Sequence, residues 1–154
     1  MITRVLLLIG AVLVFGSVNW QIAGKERLRA NGQTVFLELA PIDPRSLMQG
    51  DYMALNFAVA RAISPTNGGV AILELDPRRV GTYVRLDNGA PLNPNQQRLR
   101  FRVRNGAIWL GTNAFFFHEG DADRYNGARY GEFRVNGDGD AMLVGLRDKD
   151  LQKR

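Results

Sequence analysis

Arg98-Leu99-Arg100-Phe101-Arg102-Val103-Arg104-Asn105-Gly106-Ala107-Ile108-Trp109 alternates cations with apolar residues over seven positions and then meets Asn-Gly. Strict alternation marks a strand with one buried face and one solvated face. Asn-Gly is the strongest short hairpin signal, because both residues accept the positive φ of a type I′ turn. The stretch therefore predicts antiparallel strands over Arg98–Arg104 and Ala107–Phe117. It also sets the guanidiniums of Arg98, Arg100, Arg102 and Arg104 on one face, about 7 Å apart along the strand.

Working outward, the same grammar repeats. Thr34–Ala40 reads as a first strand, stopped by Pro41-Ile42-Asp43-Pro44, whose prolines lack ladder donors. Asp43 as cap and Pro44 as first residue predict one helical turn over Arg45–Gln49. Gly50-Asp51 then turns into a strand, Tyr52–Arg61, with Tyr52, Ala54 and Asn56 on one face and Met53, Leu55 and Phe57 on the other. Val70–Leu75, Val80–Leu86, Arg129–Val135 and Ala141–Leu146 are further strands, and Glu119–Asn126 a short helix. About eight strands separated by turn residues predict a mainly β fold: one antiparallel, curled or barrel-like domain with one or two short helices.

The 154-residue chain has 45% hydrophobic and 23% charged residues, ordinary for a globular protein. It holds no cysteine, which excludes disulfides, zinc-thiolate sites and thiol nucleophiles. The net charge of +5 is uneven. Residues 1–30 hold Arg4, Lys25, Arg27 and Arg29 against Glu26 alone, a net +3 that leaves +2 for the remainder. Cations gathered around an apolar segment serve membrane topology and headgroup contact, so a nucleic-acid partner is not expected.

That segment, Val5 to Gly24, is uncharged. As a helix rising about 1.5 Å per residue it would cross roughly 30 Å, the depth of the hydrocarbon core. Trp20 near its far end suits the interface. The reading is an uncleaved transmembrane anchor over residues 1–24, a linker over 25–33 and a β-rich domain over 34–154. A cleaved signal peptide is the rival, though only Val14-x-Gly16 offers a tolerable cut site. Flanking cations slightly favour a cytoplasmic domain, whereas the short tail before the apolar run resembles an export signal; an exported domain is expected.

Each candidate site has a structural role as its rival. The four-Arg strand fits phosphates, anionic lipid or an acidic polymer; equally, it is a solvated face balanced by carboxylates such as Glu74 or Glu38. His118-Glu119-Gly120-Asp121-Ala122-Asp123 gathers metal-type ligands, yet reads better as the acidic opening of a helix. Asn136-x-Asp138-x-Asp140 imitates a calcium loop, but Ala141 replaces the turn glycine and Arg147 the bidentate acid, so a hairpin turn is expected. No metal site and no cofactor is expected. Ser46 lacks a nominated base: Lys25, Lys149 and Lys153 lie in the anchor flank or tail, and His118 alone remains. Catalysis is not expected.

Two dense motifs complete the set, Gly50-Asp51-Tyr52 and Arg129-Tyr130-Gly131-Glu132. An Arg45 or Arg129 pairing with Asp51 would lock them together, while Tyr52 and Tyr130 lining a groove would form the lip of a partner site.

Gly50-Asp51-Tyr52-Met53-Ala54-Leu55-Asn56-Phe57 resembles the motif that names the GDYxxLxY family of bacterial proteins, with Phe57 in place of the final tyrosine. Leu39 to Gln49, Phe115 to Gly120, Ala128 to Glu132 and Leu143 to Leu146 are similar to that family too. The resemblance implies a membrane-anchored protein with no assigned activity, often encoded beside polytopic membrane proteins. It brings no catalytic or binding residues with it. Together these readings predict a single-pass protein of the bacterial inner membrane, its periplasmic domain a non-catalytic accessory to an integral membrane partner. The alternative is a binding module for anionic lipid or envelope polymer through the Arg-rich strand, and a hydrolase is a remote third.

Overall fold

A computed structural model describes residues 2–40, 48–49, 52–64, 67–125 and 127–153. The chain opens with helix α1 (Ile2–Asn31) and strand β1 (Gln33–Glu38). Two short strands, β2 (Met48–Gln49) and β3 (Tyr52–Ala54), lead to helix α2 (Ala58–Ala62). Next come β4 (Gly69–Leu75), β5 (Gly81–Leu86), β6 (Gln96–Arg104), β7 (Ala107–Trp109) and β8 (Ala114–Phe116). Helix α3 (Ala122–Tyr125), β9 (Tyr130–Val135) and β10 (Ala141–Arg147) finish the domain.

The strands form three antiparallel sheets, ordered β1-β9-β10, β2-β3-β8 and β5-β4-β6-β7. Backbone bonds join them into one curled wall. Phe36 N–H donates to the Arg79 carbonyl at 2.9 Å, tying β1 to the start of β5. Arg100 N–H donates to the Gly139 carbonyl at 2.7 Å, tying β6 to the β9–β10 turn. Leu55 N–H donates to Asn113 at 2.7 Å, and Leu39 bridges Phe57, which brings in the third sheet. Register shifts that skip Val84 on β5 and Val144 on β10 mark bulges, which bend strands and deepen the curl. Inside sit Val35, Leu37, Phe57, Leu73, Leu99, Phe101, Phe133 and Leu146, all nearly removed from solvent. The mainly β, curled antiparallel fold with short helices is therefore as the alternation predicts.

The Asn-Gly hairpin forms: Asn105 and Gly106 take φ of 50° and 76°, and Arg104 lies opposite Ala107. The strand beyond it differs from expectation. Ala107–Phe117 is not continuous but splits into β7 and β8. Gly111 takes φ 81°, and a β-carbon there would stand 2.9 Å from the Ala141 carbonyl. At this kink the chain leaves β6 and joins β3.

Two further expectations are corrected. Tyr52–Arg61 is a strand only through Ala54, because Ala58-Val59-Ala60-Arg61-Ala62 is alanine-rich and turns helical once Phe57 has left the ladder. The facing nonetheless holds: Met53, Leu55 and Phe57 are buried and Asn56 is exposed. The helical turn over Arg45–Gln49 is not found at its end, where Met48 and Gln49 pair as a strand with Met53 and Tyr52. Residues 45–47 lie outside the described ones.

Helix α1 runs unbroken through residues 25–31 and stops at Gly32, whose N–H donates to the Leu28 carbonyl at 2.9 Å. Leu28 is buried where this last turn packs on β9 and β10. Arg134 Nη1 holds the Gly32 carbonyl at 3.2 Å.

Candidate functional site

Along β6 the buried residues are Gln97, Leu99 and Phe101, so the arginines face outward as a row. Their surroundings divide them. Arg98 Nε donates to Asp87 Oδ2 at 2.8 Å. The Arg98 hydrogen bond and that from the Gly89 N–H hold the Asp87 carboxyl below its ordinary range. Arg100 Nε donates to Asp140 Oδ1 at 2.9 Å and its Nη2 to the Asp138 carbonyl at 3.2 Å. The balancing acids are thus Asp87 and Asp140, whereas Glu74 accepts from Asn95 Nδ2 at 2.9 Å.

The far end of the row is different. Among the described residues Arg102 makes no ion pair. The Arg104 guanidinium lies 5.0 Å from the Trp109 ring centroid, a cation–π stack that leaves its charge available to an anion. A cavity of about 250 Å³ opens here, lined by Lys25, Arg100, Arg102, Arg104, Trp109 and Asp140. Lys25 arrives from α1, the first cation after the apolar run. Four cations against one carboxylate make an anion-attracting groove, at the point where the helix enters the domain.

The turn beside the groove comes from Asn136-x-Asp138-x-Asp140. Asn136 Oδ1 accepts from the N–H groups of Asp138 and Asp140 at 3.1 and 2.8 Å, and Gly139 takes φ 88°. This is the expected hairpin turn, and it aims Asp140 at Arg100. His118 is exposed. Among the described residues no three His, Asp or Glu side chains gather as a metal would require.

Arg45, Ser46, Gly50 and Asp51 lie outside the described residues, and with them the Arg45–Asp51 and Arg129–Asp51 pairings. Tyr52 packs on Phe116, ring centroids 5.8 Å apart, in the β2-β3-β8 sheet. Tyr130 stands on β9 with Arg78 over its ring at 6.0 Å and donating to its hydroxyl at 3.4 Å. The tyrosines occupy separate sheets with separate partners. Arg129 serves through its backbone: its N–H donates to Arg147 at 2.7 Å and its carbonyl accepts from Leu39 at 2.8 Å. Sequence reasoning missed two participants. From sequence Lys25 reads only as the flank of the anchor, and nothing pairs Glu132 with Arg147, from whose Nε it accepts at 2.8 Å. The first depends on an approach of residues far apart in the chain, for which one sequence carries no signal; the second lies across the β9–β10 hairpin, where the bulge at Val144 sets which residues meet.

The fold and groove together define a class: a small curled antiparallel domain carried on an N-terminal helix long and apolar enough to cross a membrane, Leu6–Asn31. Residues 14–146 match the family described as GDYXXLXY protein, and the chain belongs to that family. No curated protein and no solved structure matches it.

Proposed function

We propose that this is a single-pass protein of the bacterial inner membrane whose exported domain is a non-catalytic module working with an integral membrane partner. One observation carries the reading: the apolar helix and the domain are coupled without a slack joint. Leu7, Val12, Leu13 and Phe15 stand exposed on α1, seeking lipid or another helix, while its last turn is clamped by Leu28 and the Arg134–Gly32 bond. A domain so coupled keeps a set height and facing over the bilayer, which suits contact with the extramembrane face of a neighbouring membrane protein.

Crosslinking in native membranes followed by purification in mild detergent is expected to recover a polytopic protein. Repeated recovery of the chain alone would overturn the partnership. Protease added to spheroplasts is expected to digest the domain, whereas digestion only in inverted vesicles would reverse its side.

A second reading, binding of anionic lipid or envelope polymer by the β6 arginines, is favoured by the presence of Lys25 beside Arg102 and Arg104.

A further inference from the structure

We infer that the groove of Lys25, Arg100, Arg102 and Arg104 is a site for the phosphate of an anionic phospholipid headgroup. The inference rests on the membrane anchor of the proposed function and supplies the ligand that the arginine row alone does not specify.

Depth chooses lipid over a soluble polymer. Lys25 follows the apolar run directly. Trp20, an interfacial residue type, lies five residues earlier, about 7 Å along the helix axis. That rise is comparable to the polar layer on one side of a bilayer, roughly 5–8 Å. The groove therefore opens among headgroups rather than beyond them.

A second cavity, of about 350 Å³, shares Lys25 and continues along α1 past Gln21, Ile22 and Met142, with Glu26 and Arg29 also on its wall. One lipid fits both features, its phosphate among the cations and the start of its chains beside Ile22 and Met142. An acidic polymer would leave the apolar cavity unused.

The groups divide the work. Arg100 is held by Asp140 and the Asp138 carbonyl, and so shapes one wall. Arg104 is oriented on Trp109. Arg102 and Lys25, free of ion pairs among the described residues, present charge without first breaking a bond. The planar guanidinium suits two phosphate oxygens and the ammonium a third.

The test uses the full chain in detergent, loaded with equal phosphatidylglycerol and phosphatidylcholine, with retained lipid read by native mass spectrometry. Phosphatidylglycerol is expected to be retained preferentially. Each cation removed should weaken retention about fivefold, so Lys25→Gln with Arg102→Gln should weaken it more than tenfold. Arg102→Lys should restore part of the loss. Arg85→Gln, removing a cation bonded to Asn88 on β5, should leave retention unchanged. Both groove positions are exposed, so melting temperatures should match the parent.

Equal retention of the two lipids, or undiminished phosphatidylglycerol on the double variant, overturns the inference. So does groove-dependent binding of inorganic phosphate or linear polyphosphate without lipid preference, the first indicating a free anion and the second a polymer. Because the purified chain is measured alone, failure here is separate from failure to find a protein partner. Solubility without detergent would instead sink the anchor.

Discussion

The ring of Phe57 lies against the backbone of Gly131, so close that a β-carbon on Gly131 would stand 2.9 Å from Phe57 Cε1. Phe57 ends the family-like stretch from Gly50 to Phe57 and Gly131 lies within Arg129–Glu132, so ring-on-glycine packing joins the two. Phe133 completes the contact edge-on to Phe57, centroids 5.2 Å apart. The family's final tyrosine is phenylalanine here, and what the position supplies is a buried ring.

Gly131→Ala is accordingly expected to overpack the core against Phe57, Leu143 and Phe133, at a cost of about 1–3 kcal/mol. Phe57→Ala should cost about 3–5 kcal/mol through the cavity left behind. Denaturant unfolding of both variants checks this. Combined, they should lose less than the sum of the singles, because removing the ring makes room for the new methyl group.

Glu132 and Arg147 face each other across β9 and β10, both largely shielded from water. Arg147→Met strands a carboxylate in that setting and is expected to cost about 2–4 kcal/mol. Replacing the pair together, Glu132→Leu with Arg147→Met, should recover much of the loss, since no unpaired charge is then left buried. A double-mutant cycle by thermal unfolding measures the difference. Equal losses for the single and the double would show that the pair matters through its packing alone.

Asp87 predicts an acid dependence. Its carboxyl is held below the ordinary value of 3.8 by Arg98 and the Gly89 N–H. The charged form is therefore favoured by folding, and its contribution is complete above the unfolded value. It fades as pH falls through the lowered, folded value. Asp87→Asn should be less stable than the parent near neutrality and should converge on it in strong acid. Melting temperatures between pH 2 and 7 check the sign, and a gap that widens toward acid would reverse it.

Much of the fold was legible because its signals are local. Alternation from Arg98 to Arg104 announced one buried face, and Asn105-Gly106 announced the turn, since side-chain facing and positive φ depend on neighbours two or three residues away. The same locality explains the errors. Nothing near Trp109 announces that Gly111 must kink against the Ala141 carbonyl. The alternation of Met53, Leu55 and Phe57 continues smoothly into Ala58, where the chain leaves the strand.

The candidate site divides in the same way. The cationic row on β6 and the apolar helix followed by Lys25 are matters of sequence alone, because period-two geometry and hydrophobic length are properties of short segments. That Lys25 meets Arg102, that Asp140 rather than Glu74 holds Arg100, and that Phe57 seats on Gly131 were decided by tertiary structure. Each joins residues more than twenty positions apart, and such approaches follow from how three sheets curl around one core, an outcome of the packing of the whole chain.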